Sequence, residues 1–342
     1  MSGWQEPSEP GQSPRRTFWT RPDESDPLRP GQLVRRAWRL YRSTPRRFLA
    51  VAVGPELIRD LLAIPSLVVA VGFVEAFAKV FGEYWAAAMA DPVGYQADPT
   101  VLQNEFEAEL LAIVVPTPDL AAVSAVTGAL GLAVGLIGTS VLTAAALAAA
   151  AGHPISIGAV FRLVAARGAL VKPIIALALG SLAVSGVPQL LQTSSEFQAW
   201  SGEPGSPRSV LLASLFSVFA VVVFVLVVVL AVRWALYIPA VIAESLGIGP
   251  GLDRAARLSR GIRIRLGLAM VGILLLHGLS VGIVSVVIGF VVGISAGSVG
   301  VGFAAYLGTA LLGNLLWAPI LPAMLTVAYG TRASEPAGER PS

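Results

Sequence analysis

The sequence predicts an all-α integral membrane protein with about six transmembrane helices and short amphipathic cytoplasmic helices preceding spans 1, 3 and 5. Three observations lead there. The 342 residues are 55% hydrophobic and only 13% charged, with a mean hydropathy of +0.74, too little polar surface to cover a soluble globule of this size. Apolar runs of the ~20 residues that a spanning helix needs recur along the chain. The arginines gather at the ends of those runs rather than on a soluble face, so the net charge of +3 and the pI near 9.5 point to lipid headgroups and not to nucleic acid.

Met1 to Pro30 is rich in proline, serine and charge and has no apolar periodicity. It cannot bury enough surface to offset its ordering entropy, and a disordered cytoplasmic tail is expected. It is not expected to be a cleaved signal peptide, because the first apolar run begins only near Phe48, so the chain should keep its N-terminus. The membrane domain is assigned to residues 31–330 and a second disordered tail to residues 331–342. Spans are predicted near Phe48 to Val74, Leu120 to Ala149, Ala169 to Leu191, Val210 to Ala240, Leu266 to Gly293 and Val301 to Tyr329.

Arginine and lysine near the span ends set the orientation. Arg29, Arg35, Arg36, Arg39, Arg42, Arg46 and Arg47 precede the first span. Arg162, Arg167 and Lys172 flank the second connection, and Arg254, Arg257, Arg260, Arg263 and Arg265 the fourth. The opposite connections carry Lys79 and Arg208 among many acids, including Glu83, Asp91, Glu105, Glu107 and Glu203. Both termini are therefore expected on the cytoplasmic side of a plasma membrane. Within the first outer connection, Thr100 to Leu111 has capping-box spacing and apolar residues at helical intervals, which predicts an amphipathic helix on the outer surface.

The segment "PGQLVRRAWRLYR" before the first span segregates on a helical wheel: Leu33, Val34, Ala37, Trp38, Leu40 and Tyr41 fall within roughly 160° and Arg35, Arg36, Arg39 and Arg42 within roughly 120° opposite. An interfacial helix needs that segregation, its apolar face in the acyl boundary and its arginines at anionic phosphates. Aligning Arg39-Leu40 with Arg162-Leu163 and Arg257-Leu258 shows the unit three times: a glycine or proline turn, a short helix with a basic face, then a span. The middle copy segregates poorly, and the unequal spacing argues against a strict tandem repeat.

"RWALYIPAVIAESLGIGPGLDRAARLSRG" resembles the membrane domain associated with glycerophosphoryl diester phosphodiesterases, in which an arginine, a proline and a glutamate of one helix precede a basic segment. Those positions are Arg233, Pro239, Glu244 and the run Gly251 to Gly261. "LVRRAWRLYR" resembles that family's N-terminal surface helix and "TVAYGTR" its C-terminal ending. Ala255, Ala256 and Gly330 stand where the family carries a serine, a tryptophan and an aspartate. The resemblance implies a multi-spanning domain of undefined activity, sometimes joined to a soluble phosphodiesterase barrel. These residues contain no such barrel, which would need a few hundred soluble residues with paired carboxylates and histidines for metal-assisted hydrolysis.

Ionisable residues at membrane depth are functional candidates because they are costly to keep there. Glu56, Arg59 and Asp60 stand at i, i+3 and i+4 behind Gly54-Pro55, so they share a helix face. They read either as a polar cavity or ion path, or as a structural ion pair near the interface. Arg233 and Glu244 flank Pro239, which breaks the helical hydrogen-bond ladder. Glu244 is placed to bind Arg254 or Arg257 in a charge-paired elbow, with a proton or cation site as the rival reading. His277 and Asn314 suit interhelical hydrogen bonding, and Gly131, Gly135, Gly289, Gly293 and Gly297 suit close helix packing.

With no cysteine and two distant histidines, His153 and His277, no metal or cofactor is expected, and no nucleophile and base pair stands out. The expected role is non-catalytic: a basic cytoplasmic surface of Arg35, Arg36, Arg39, Arg42, Arg254, Arg257 and Arg260 engaging anionic membrane lipid or a membrane or cytoplasmic protein partner. The alternative is a transporter of a small or lipidic substrate using the buried charges of the first span.

Overall fold

A computed structural model describes residues 28–90, 118–193 and 207–334, and among these the regular structure is entirely α-helical. The two tails, up to residue 27 and from residue 335, and the outer helix expected at Thr100 to Leu111 lie outside the described residues. Among the described residues four helices are long and apolar enough to cross a membrane: Ala122–Ala150, Val221–Glu244, Arg263–Ala296 and Gly300–Ala333. A fifth arises if Ile157–Ala165 and Gly168–Ala183, which meet at 74°, form one bent span. Several long apolar helices of this kind mark a membrane-embedded protein.

Short helices α1 (Pro30–Ser43), α4 (Ile157–Ala165) and α8 (Ile248–Ser259) each lead through a tight turn into a long one, respectively α2 (Pro45–Ala90), α5 (Gly168–Thr193) and α9 (Arg263–Ala296). The remaining described helices are α3 (Pro118–Ala150), α6 (Pro207–Arg233), α7 (Tyr237–Glu244), α10 (Val299–Trp317) and α11 (Ile320–Ala333). Pro30 opens α1 at a position where its missing N–H costs nothing.

Two spans, the first and the sixth, differ from expectation, and the fourth breaks as Pro239 predicts. The first does not stop near Val74: α2 runs for 46 residues to Ala90, about 69 Å at ~1.5 Å per residue, which is twice the hydrocarbon thickness. Lys79 and Glu83, assigned to a connection, lie in this helix as an i,i+4 pair 3.8 Å apart, because a helix that outruns the hydrocarbon can carry exposed charge. The fourth span breaks after Arg233, since Pro239 has no N–H and its ring would strike the carbonyl of Ala235 in a continuous helix. The sixth breaks at Ala318-Pro319 for the same reason.

The protein core sits at one end of the bundle. Helix α11 is buried along nearly its whole length. Around it pack α1 (Leu33, Ala37), the last turns of α3 (Val141, Ala145), α7 (Ala240, Val241), α8 (Ala255, Leu258) and the first turns of α9 (Leu266, Ala269), with Phe48 and Val51 of α2 in the same buried cluster. Away from this end apolar side chains face outward, as Leu226 of α6 and Phe290 of α9 do at 55% and 67% exposure. A water-facing protein would not expose so continuous an apolar surface.

The α1 expectation needs correcting. Leu33, Ala37, Leu40 and Tyr41 are buried against α11, α9 and α3 and do not face an acyl boundary. Arg36, assigned to the lipid-facing cations, is only 5% exposed. At ~100° per residue it stands about 40° from Leu40 and about 60° from Leu33, on the border of the two faces. Segregation on a wheel shows that a face is covered without showing what covers it.

The two far ends of α9 and α10 pack through glycine. A Cβ on Gly302 would lie 2.6 Å from the carbonyl oxygen of Gly289 and 2.7 Å from Cα of Gly293, so Gly289 and Gly293 do serve close approach. Gly297 instead ends α9 in the left-handed region at φ +60°. Gly131 has open space around it, and on α3 the close contact is at Gly138, where a Cβ would meet Pro55 of α2 at 2.8 Å.

Candidate functional site

The stretch from Arg233 to Gly261 folds back on itself at the buried end. Helix α7 ends at Glu244, and Ser245 takes the left-handed conformation (φ 58°), which turns the chain toward α8. The start of α8 then presses on α7 so closely that a Cβ on Gly251 would lie 2.7 Å from Val241 and 2.9 Å from the Tyr237 ring. This contact brings Arg254 back to Glu244. Its Nε lies 2.9 Å and 3.1 Å from the two carboxylate oxygens. The Tyr329 hydroxyl of α11 donates to the same carboxylate at 2.8 Å. Three helices are thereby joined at one carboxylate, and charge-assisted bonds are the stronger kind. Of the two arginines that sequence placed within reach of Glu244, Arg254 makes the pair and Arg257 is exposed. Arg233 does not join it: its guanidinium lies 5.9 Å from the centre of the Trp234 ring.

Around this elbow, side chains fill backbone acceptors that the helix breaks leave open. The Ala169 carbonyl would bond the residue four ahead, but that residue is Pro173, and the Tyr237 hydroxyl donates there instead. The Arg233 carbonyl at the end of α6 accepts from Ser259 Oγ at 2.9 Å. Arg332, 3% exposed, donates Nε to the Leu258 carbonyl at 3.1 Å and Nη2 to the Arg260 carbonyl at 2.9 Å. A cation at the C-terminus of α8 also meets the negative end of its dipole. Burial pushes the Tyr41 phenol of α1 above its ordinary value, which keeps it neutral.

The cations left outside this network share one end of the bundle. Arg35, Arg39 and Arg42 of α1, Arg46 and Arg47 after it, Arg257 and Arg260 of α8 and Arg263 and Arg265 of α9 are all exposed. Helix α1 packs on both α9 and α11, and Arg332 of α11 caps α8, so these arginines rim the buried end. Arg254 is taken up by Glu244 and Arg36 by burial.

The first-span charges lie together on α2. Arg59 pairs with Glu56, which is buried, and stands 3.5 Å from Asp60 Oδ1. Its aliphatic stem passes Gly135 of α3. None of the three borders the cavity of about 470 Å³ that opens between α3, α4, α7 and α11. On the far half of the bundle, His277 Nε2 and Asn314 Oδ1 share a hydrogen bond of 3.0 Å between α9 and α10, and the His277 ring lies 5.9 Å from that of Trp317. Among the described residues no group of three acids or histidines could hold a metal.

Sequence reasoning missed Ser259 and Gly251 as structural residues and gave Tyr329 and Arg332 no partner. The available signal was an arginine and a tyrosine three apart in an otherwise apolar final span, which places them on one face. The class these features define is a helical membrane-embedded protein with a charge-clamped, arginine-rimmed end. Comparison with known proteins adds no closer relation: no family model, no curated protein and no solved structure matches the chain.

Proposed function

We propose that the chain is a non-catalytic, six-span membrane protein whose arginine-rimmed end faces the cytoplasm and binds anionic lipid headgroups. The six spans are α2, α3, the bent pair α4 and α5, α6 with α7, α9, and α10 with α11, which return both ends of the described chain to one side. The observation that carries this reading is the exposure of Arg35, Arg39, Arg42, Arg257 and Arg260 at one end of the bundle. Exposed guanidinium groups beside a bilayer are attracted to anionic lipid by about 1 kcal/mol each. The same reading makes this a membrane domain of the phosphodiesterase-associated type that it resembles, the likeness resting on Arg233, Pro239, Glu244 and Gly251 to Gly261. The pairing of Arg59 with both neighbouring acids favours this role over transport through the first span.

The test is binding of phosphatidylglycerol against phosphatidylcholine by the purified protein. Replacing Arg35, Arg39, Arg42 and Arg257 together with glutamine should abolish most of the preference for phosphatidylglycerol and its salt dependence while leaving the thermal transition in place. Arg36 is left intact because it is buried. An unchanged preference in the fourfold variant contradicts the proposal.

A further inference from the structure

We infer that the cavity between α3, α4, α7 and α11 holds one acyl chain of an anionic phospholipid, an inference that rests on the membrane placement proposed above. Its volume of about 470 Å³ lies within the ~300–1,000 Å³ of small-molecule sites. Its walls are mostly apolar, formed by Leu147 and Ala148 of α3, Leu163 of α4, Ile242 of α7 and Ala333 of α11. Its inner wall is buried, with Ala148 at 8% and Ile242 at 6% exposure, while Ala151, His153, Ala243 and Ser334 are exposed at its mouth. Left empty, the inner wall forfeits dispersion contacts. Water against an apolar wall is unfavourable, and in a bilayer the apolar material at hand is the lipid tail.

The rim decides the kind of lipid. His153 follows the end of α3, Ser334 follows the end of α11 and Tyr329 stands in its last turns, so among the described residues the polar side chains on the cavity lie at the basic end of the bundle. Arg162 precedes the wall residue Leu163 and is exposed. The carboxylate nearest in the chain to a wall residue, Glu244 beside Ala243, is occupied by Arg254 and Tyr329. Among the described residues no acid lines the cavity, so its neighbourhood offers an anionic headgroup cations and hydrogen-bond donors.

The experiment uses native mass spectrometry of the full chain, stripped of lipid and titrated with phosphatidylglycerol, phosphatidylcholine or glycerol phosphate. Ala151→Phe and Ala333→Phe fill the cavity from two different helix ends, so one misfolded variant does not remove the test. The wild type should hold one phosphatidylglycerol about tenfold more tightly than either variant does. Arg162→Gln should narrow the preference for phosphatidylglycerol over phosphatidylcholine. The surface variant of Arg35, Arg39, Arg42 and Arg257 should keep this single lipid while losing the looser ones. Equal retention by wild type and both filled variants overturns the inference. So does equal binding of glycerol phosphate, which would make this a free-phosphate site. Binding that appears only after residues 1–27, which include Phe18 and Trp19, are deleted also overturns it, because the occupant would then be the chain's own tail. Loss of the looser lipids alone bears on the basic surface, and loss of the single tight lipid alone on the cavity, so the two readings fail separately.

Discussion

The two ends of this bundle are held together by different means. At the basic end, α1, α7 and α8 pack on α11, and each open carbonyl described there meets a named donor: Ala169 meets Tyr237, Arg233 meets Ser259, and Leu258 and Arg260 meet Arg332. At the far end, the clearest protein contact is the glycine-mediated seam of α9 and α10, while side chains such as Leu226 and Phe290 face outward. The difference follows from backbone chemistry. An unbroken helix satisfies its own polar groups and can face lipid. A chain that breaks, bends and re-enters must find side chains for the groups it frees.

That contrast can be broken from either end, and the expected effects form a descending series. Arg332→Met removes the donor to two carbonyls at once and should cost about 3 kcal/mol in unfolding free energy, read from denaturant-dependent tryptophan fluorescence in detergent. Gly302→Val drives a side chain into the backbone of α9 and should cost about 2 kcal/mol, with cross-linking between α9 and α10 lost first. Ser259→Ala leaves the Arg233 carbonyl open and should cost about 1 kcal/mol in the same fluorescence assay. Leu226→Ala, on an outward face of α6, should change stability by less than about 0.5 kcal/mol. If Leu226→Ala proved as costly as Arg332→Met, the far end would be a packed protein surface and the contrast would fail.

Legibility in the sequence divides along the same line. Hydropathy located the long apolar helices because lipid exposure writes itself into every residue of a span. Pro239 marked the break in the fourth. The end of α2 was not legible, since Lys79 and Glu83 read as a connection although a helix extending beyond the hydrocarbon tolerates them. Gly289 and Gly293 announced a close-packed face by their spacing, but Gly302 and Gly138, where a Cβ would also meet another helix at under 3.0 Å, did not, because one helix's pattern does not name its partner. The site shows the same limit. Glu244 and Arg254 lie ten residues apart across a glycine-rich turn and were legible as neighbours. Tyr329 reaches Glu244, and Arg332 the carbonyls of Leu258 and Arg260, across more than seventy residues, and only the assembled fold brings those ends together. Arg36 was misplaced because it stands on the border between the two faces of α1.

The claim underneath all of this is that the basic helices and both ends of the described chain share one face of a membrane. The chain has no cysteine of its own, so single substitutions Arg42→Cys, Arg260→Cys, Ser334→Cys and Ser298→Cys report without background. Labelling with a membrane-impermeant maleimide in sealed vesicles of known orientation should modify the first three from the cytoplasmic side and Ser298→Cys from the opposite side. Labelling of Arg42→Cys and Ser334→Cys from opposite sides would contradict it.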